Sequence, residues 1–125
     1  MKFGVERLCD DLAVLGFKAE QFEDEQKNLF VIVREYVIEL GRFTGRVIDL
    51  GLLIPSNYPQ GVGSGIHVKS APHLLDTGDT LPKVRNITGS SLGPEWRYWS
   101  KNFGWNGERS TGQLMSQINE IFLHA

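Results

Sequence analysis

The amino-acid sequence predicts an α+β domain in which helices cover one face of an antiparallel sheet. Three observations predict it: a helical spacing of apolar residues near the start, four strand-like segments after it, and a second helical spacing at the end. The length of 125 residues is typical of a single domain, so we expect one domain over residues 1–125. With 41% hydrophobic and 22% charged residues, the composition excludes disorder as the main state.

The first helix is predicted from apolar residues spaced three and four apart, namely Val5, Leu8, Cys9, Leu12 and Leu15. Gly16 follows them, where a helix commonly ends on a left-handed glycine. Cys9 is the only cysteine, which excludes an intramolecular disulfide and favours a reducing, cytoplasmic compartment. Because it lies on the apolar stripe of the helix, we interpret Cys9 as a small core residue.

Four strands are predicted next from segments rich in β-branched and aromatic residues, at Phe17–Phe22, Asn28–Val37, Arg46–Leu53 and Gly65–Ser70. Their short connections favour an antiparallel meander. Apolar residues occupy both sides of the second strand. One face of the sheet is therefore expected to pack on the helices, while the other meets loops or a partner.

The last third of the chain is predicted to hold a long irregular segment and two helices. Residues 71–93, which we call the flap, are rich in proline and glycine and longer than most loops in a compact domain. A short helix is then expected from Pro94, with Trp96, Trp99 and Phe103 on one face. Ser110 with Gln113 is typical of a helix start and predicts a C-terminal helix.

Charge and residue spacing exclude several classes of function. Thirteen basic and fifteen acidic residues give a net charge of −2, which argues against nucleic-acid binding. The apolar stretches are too short to cross a membrane. The three histidines, His67, His73 and His124, are scattered and have no nearby pair of carboxylates, so we expect no metal site. No cofactor is expected either.

Two motifs carry a resemblance to a known family. Ile54-Pro-Ser-Asn-Tyr-Pro-Gln-Gly61 resembles the Tyr-Pro turn between the third and fourth strands of ubiquitin-conjugating enzymes. The run from Leu92 to Phe103, with Trp-Arg-Tyr-Trp-Ser at its centre, is similar to the signature of the bacterial ubiquitin-conjugating-like proteins called prokaryotic family E. The resemblance covers about residues 5–122. It implies a ubiquitin-like modifier and an activating enzyme as partners, a place in antiphage defence, and a reaction face formed by residues 71–105.

The chain departs from the family pattern because no cysteine lies between Gly16 and Ala125. A conjugating enzyme carries its modifier as a thioester, which needs an exposed thiolate. Three explanations stay open: a protein that binds its partners without covalent chemistry, a native cysteine replaced by Lys101 beside Asn102, or chemistry without a thiol at Ser90, Ser91, Lys101 or His73. The second explanation would make the chain a transferase.

Candidate site residues follow from the resemblance. It places His73, after Pro72, near the reaction face, and Lys101 and Asn102 at the end of the tryptophan-rich segment. Aromatic side chains are frequent anchors at protein interfaces. Candidate partner-binding residues are therefore Tyr58, Trp96, Trp99 and Trp105, although large aromatic side chains also build cores.

Overall fold

The computed structural model describes residues 2–125, which form two helices and one six-stranded sheet. The elements are α1 (Gly4–Val14), β1 (Lys18–Glu23), β2 (Leu29–Val37), β3 (Val47–Leu53), β4 (Ile66–Lys69), β5 (Ile87–Ser90), β6 (Gly93–Trp99) and α2 (Thr111–Leu123). All neighbouring strands are antiparallel, in the order β1-β2-β3-β4-β6-β5. The predicted α+β class is confirmed, and the sheet is larger than predicted.

Helix α1 ends as its sequence predicts. Gly16 has a φ of +90°, and its N–H donates to the carbonyl of Ala13, while the N–H of Phe17 donates to the carbonyl of Leu12. This pair of hydrogen bonds satisfies carbonyls of the last turn that would otherwise lack partners. Leu8 and Leu12 are buried against the sheet, so the predicted apolar stripe is the face that packs.

Strands β1 to β4 form the predicted meander, and each predicted boundary lies within one residue of the observed one. The alternation in β2 separates the two faces of the sheet. Val31 and Val33 point to the inner face, which α1 and α2 cover. Phe30 and Ile32 point to the opposite face, which we call the outer face, and belong to a separate small cluster with Trp96.

The predicted short helix from Pro94 is wrong, because residues 93–99 form strand β6. The spacing of Trp96 and Trp99 fits one helix face, but the aromatic run also suits a pleated strand. The segment pairs with β4 on one side and with β5 on the other. The backbone hydrogen bonds of this pairing favour a strand over a helix. Trp96 and Trp99 consequently lie on opposite faces of the sheet.

The flap is not irregular throughout, because β5 lies within it and pairs with β6. This four-residue strand contains Gly89 and pairs only with the adjacent β6, so its short length and its glycine give a weak strand signal. The turn after β5 brings Leu92 onto the outer face. A Cβ at Gly51 would come within 2.9 Å of Leu92 Cδ1, so glycine makes room for Leu92 there.

Helix α2 begins as predicted, with the Ser110 hydroxyl accepting a hydrogen bond from the Gln113 N–H at 3.2 Å. Its buried face completes the inner core, where the ring of Phe122 contacts those of Tyr36 and Trp99. Neither helix described within residues 2–125 is long and apolar enough to cross a membrane.

Candidate functional site

The Tyr-Pro turn is held to both helices by a chain of buried hydroxyls. Tyr58 is fully buried, and its hydroxyl lies 2.6 Å from Thr111 Oγ1. Thr111 donates in turn to Asp11 Oδ2 at 2.6 Å, so Tyr58 must be the donor to Thr111. Burial is the first cause that raises the pKa of Tyr58, which keeps the phenol protonated. Tyr58 therefore connects the turn to α1 and α2 and is not part of the surface.

The three tryptophans have different environments. Trp99 is 0% exposed in the inner core, and Trp96 is 7% exposed on the outer face. Trp105 keeps part of its surface in solvent. Its Nε1 donates to the carbonyl of Pro59 at 2.7 Å, and its ring stacks on Tyr58. Trp96 and Trp99 are therefore core residues. Partner binding stays a prediction, and it suits Trp105 because this ring is partly exposed.

His73 lines an open cleft of about 620 Å³ at the end of β4. The first three residues of β3 also line it, as do Pro94 and Glu95 of β6 and Glu35 at the bulge of β2. The carboxylates around the cleft each have a cation, in the pairs Lys18–Glu35, Arg34–Asp49 and Lys69–Glu95. Nδ1 of His73 is buried and has no hydrogen-bond partner among residues 2–125.

Lys101 and Asn102 lie at the other end of β6 from this cleft. The carbonyl of Lys101 accepts the N–H of Gly65 at 2.7 Å, and Asn102 Oδ1 accepts the N–H of Gly104 at 2.9 Å. The cleft that contains His73 includes Pro94, near the first residue of β6. A strand of this length spans roughly 20 Å, so the structure does not bring His73 and Lys101 together.

Cys9 lies on α1, half-buried against the inner core. Burial, followed by the negative charges of Asp10 and Glu20, raises the pKa of its thiol. The thiolate is therefore disfavoured, and the side chain lacks the electropositive setting of a reactive cysteine.

A polar pair on the outer face was not predicted from the sequence. His67 on β4 is buried, and its Nδ1 lies 2.7 Å from the hydroxyl of Ser90 at the end of β5. The same hydroxyl accepts the N–H of Leu92 at 3.0 Å. Burial lowers the pKa of His67 to about 4, so the ring is neutral at ordinary pH. Ser90 was predicted as a candidate nucleophile. Its contact with His67 depends on strand β5, which the sequence did not reveal.

Metal binding finds no support in the part of the chain that the structure describes. No group of three or more histidine, cysteine, aspartate or glutamate side chains in residues 2–125 is placed to hold an ion. His73 lies in the cleft of about 620 Å³, and the His67–Ser90 pair lies on the outer face.

The order of elements defines a class of protein. The chain contains, in order, a helix, an antiparallel meander, a buried Tyr-Pro turn and a closing helix. This order is consistent with a ubiquitin-conjugating-like fold. The chain belongs to prokaryotic E2 family E, a bacterial family of this class, whose model matches residues 9–122. The resemblance stated from the two motifs is thus confirmed. No curated protein and no solved structure matches the chain significantly.

Proposed function

We propose that this protein binds a ubiquitin-like modifier and its activating enzyme in a bacterial modification pathway, without carrying the modifier on a cysteine. Family membership supports the pathway. The position of the single cysteine carries the rest of the proposal, because Cys9 is half-buried on α1 and no thiol occurs in the flap or in residues 94–125. A role in antiphage defence stays a prediction from the resemblance.

The chemistry of a thioester carrier disfavours Cys9. The carrier's thiolate must attack an acyl group held by a large partner enzyme, so it has to be both exposed and ionised. Cys9 is packed against the inner core, and its neighbouring carboxylates oppose ionisation. Noncovalent binding needs no thiol and requires only a surface that recognises the partner.

Trp105 is the best candidate for an anchor within the predicted reaction face. Its hydrogen bond to Pro59 and its stacking on Tyr58 hold the ring on a turn that both helices support. A rigid, partly exposed aromatic ring loses little conformational entropy when a partner covers it. Residues near Trp105 would then contribute to the binding surface, and Lys101 and Asn102 belong to the same segment.

Isothermal titration calorimetry with a family-associated bacterial ubiquitin-like modifier and its activating enzyme tests this proposal. We expect Cys9→Ala to bind as the unaltered chain does, and Trp105→Ala to bind at least about tenfold more weakly. Trp105→Phe serves as the matched control, because it keeps the stacking on Tyr58 and loses the Nε1 donor. Absence of binding by the unaltered chain, or its loss in Cys9→Ala, would contradict the proposal.

A further inference from the structure

We propose that a small cleft on the outer face binds an uncharged, planar ligand that carries a carboxamide and has about the size of a nucleobase. The cleft, which we call the His67 cleft, has a volume of about 260 Å³. Residues at the beginnings of β2 and β4 and near the ends of β3 and β6 line it. It shares no residue with the larger cleft that contains His73, and the proposal is independent of modifier binding.

The side chain of His67 opens into this cleft. His67 is 7% exposed, so more than nine-tenths of its surface is buried, and the residue lines the cleft. Its Nε2 makes no hydrogen bond within residues 2–125. This nitrogen is not enclosed either, because the buried side-chain atoms without a partner in that range are Nδ1 of His73 and Nε1 of Trp99. An unpaired polar atom on an otherwise buried side chain is available to a ligand.

The contact between His67 and Ser90 lets Nε2 serve either as a donor or as an acceptor. Nδ1 lies 2.7 Å from the Ser90 hydroxyl, which can donate to this nitrogen or accept from it. The neutral ring carries its proton on Nε2 in the first case and on Nδ1 in the second. Nε2 therefore pairs with a carbonyl oxygen or with an N–H. A carboxamide fits both cases because it presents the two groups side by side.

Asn28, Ser64 and Tyr98 supply the other hydrogen-bonding groups of the cleft. Asn28 Nδ2 donates to Asp24 Oδ2 at 3.1 Å, which leaves Oδ1 to accept an N–H from a ligand. The Tyr98 hydroxyl lies 3.0 Å from the Ser64 hydroxyl, and either of them can donate. A few polar groups of this kind on a small cleft orient a ligand and determine which one is bound.

The walls and the volume favour a small, flat ligand. The rings of His67 and Tyr98 have centroids 4.8 Å apart, and the partly exposed Tyr98 offers an aromatic surface for stacking. Phe30 and Leu53 add apolar contact. Pockets for drug-sized ligands have volumes of roughly 300–1,000 Å³, so this cleft suits a single ring with one substituent.

The charges in and near the cleft disfavour an anionic ligand. No charged side chain lines the cleft, and burial lowers the pKa of His67 to about 4, so the ring is neutral at pH 7. The adjacent turn between β1 and β2 contains Glu23, Asp24 and Glu25 and a single cation, Lys27. A carboxylate in the cleft would lose hydration without gaining a cation, and this turn would repel it.

Nicotinamide and nicotinate are matched probes, since they share a pyridine ring and differ in a carboxamide against a carboxylate. The full chain is labelled with nitrogen-15 and titrated with each compound, while NMR follows the ring nitrogens of its histidines. We expect nicotinamide to bind with a Kd of about 1 mM or tighter and to shift Nε2 of His67. Nicotinate is expected to bind at least about tenfold more weakly.

A histidine inside the cleft and one outside it provide the variants. His67→Asn should weaken nicotinamide binding at least about fivefold, because the shorter asparagine cannot place a polar atom where Nε2 lies. His124→Asn is the matched control, since this exposed histidine caps the end of α2 and does not line the cleft, so its replacement should leave the Kd unchanged. Circular dichroism checks that both variants are folded.

Ser91→Trp is a second variant that leaves the buried histidine in place. Ser91 is exposed, lines the cleft and makes no side-chain hydrogen bond within residues 2–125, so a larger side chain narrows the cleft without disturbing the core. We expect it to abolish binding.

Four results would each overturn the inference. They are no binding of nicotinamide by the unaltered chain, equal binding of nicotinate, a shift confined to His73 or His124, and an unchanged Kd in a folded Ser91→Trp variant. Neither probe contains a modifier or an activating enzyme, so failure here leaves the proposed binding function intact.

Discussion

The two faces of the sheet are built in different ways. The inner face is covered by α1 and α2 and contains the large apolar cluster, including the fully buried Trp99. The outer face has a small cluster around Phe30, Ile32 and Trp96, and Leu92 packs against it from the turn after β5. The buried His67–Ser90 pair lies on this thinner side. The larger apolar core thus lies on one face, and this buried polar pair lies on the other.

The largest expected effect compares one tryptophan from each face. Trp99→Ala leaves a cavity in the main core, and we expect a loss near the upper end of about 3–5 kcal/mol in the free energy of unfolding. Trp96→Ala, whose cluster is smaller and partly open, is expected near the lower end. Urea unfolding followed by circular dichroism measures both. Equal losses would contradict the comparison between the faces.

Acid should weaken the fold through His67. The pKa of His67 is about 4 in the folded chain, against 6.5 for an ordinary histidine, so between these values the unfolded chain binds a proton that the folded chain does not. Stability is therefore complete above about pH 6.5 and falls as the pH decreases toward 4, by about 3 kcal/mol at most.

Chemical unfolding across this pH range, repeated with His67→Asn, measures that dependence. The variant lacks the titrating ring and should show a flatter profile between pH 7 and 4. Asp24 and Asp76 have lowered pKa values and would reduce stability only at more acidic pH, so they do not imitate the effect. An identical slope in the variant would show that His67 is not the group responsible.

A smaller effect is expected on the inner side of the molecule, at the Tyr-Pro turn. Tyr58→Phe removes the donor to Thr111 and leaves Thr111 bonded to Asp11, so we expect a loss of about 1–2 kcal/mol. Thermal or urea unfolding measures it. Thr111→Val removes this hydrogen bond and the one to Asp11, and it leaves the buried Tyr58 hydroxyl without a partner, so we expect it to cost more than Tyr58→Phe. A loss in Tyr58→Phe that greatly exceeds that of Thr111→Val would contradict this assignment.

Lys101→Cys should have the smallest effect on stability, within about 0.5 kcal/mol, because the side chain is only partly buried. The variant tests whether Lys101 occupies the place of a thioester cysteine. With a modifier, an activating enzyme and ATP, a reductant-sensitive adduct on the variant would support that replacement. No adduct, alongside intact binding, would favour a protein that never used a thiol at this position.

The sequence predicted some elements of this fold better than others. The difference depends largely on how far along the chain the residues that stabilise each element lie from it. Helix α1 and the meander follow from spacing within one segment, and Gly16 and Ser110 mark helix ends by local hydrogen bonds. Strand β6 was mistaken for a helix because its ladder partners lie in β4 and β5. Strand β5 was missed for another reason: it pairs only with the adjacent β6, but it is four residues long and contains Gly89, so its own strand signal is weak.

The candidate site was predictable to a lesser degree. The family motifs identified the Tyr-Pro turn and the tryptophan-rich segment, but not which side chains are buried. Strand alternation, once β6 is known, places Trp96 and Trp99 on opposite faces. The His67–Ser90 contact joins residues 23 apart on β4 and β5, which are separated in the sheet by β6, so no local pattern indicates it.

The central claim is tested most directly by the mass of the intact chain after incubation with a modifier, its activating enzyme and ATP. The mass is recorded with and without reductant. The account predicts that the unaltered chain and Cys9→Ala give the same spectrum, with no adduct that reductant removes. A reductant-sensitive adduct on the unaltered chain that is absent from Cys9→Ala would contradict it.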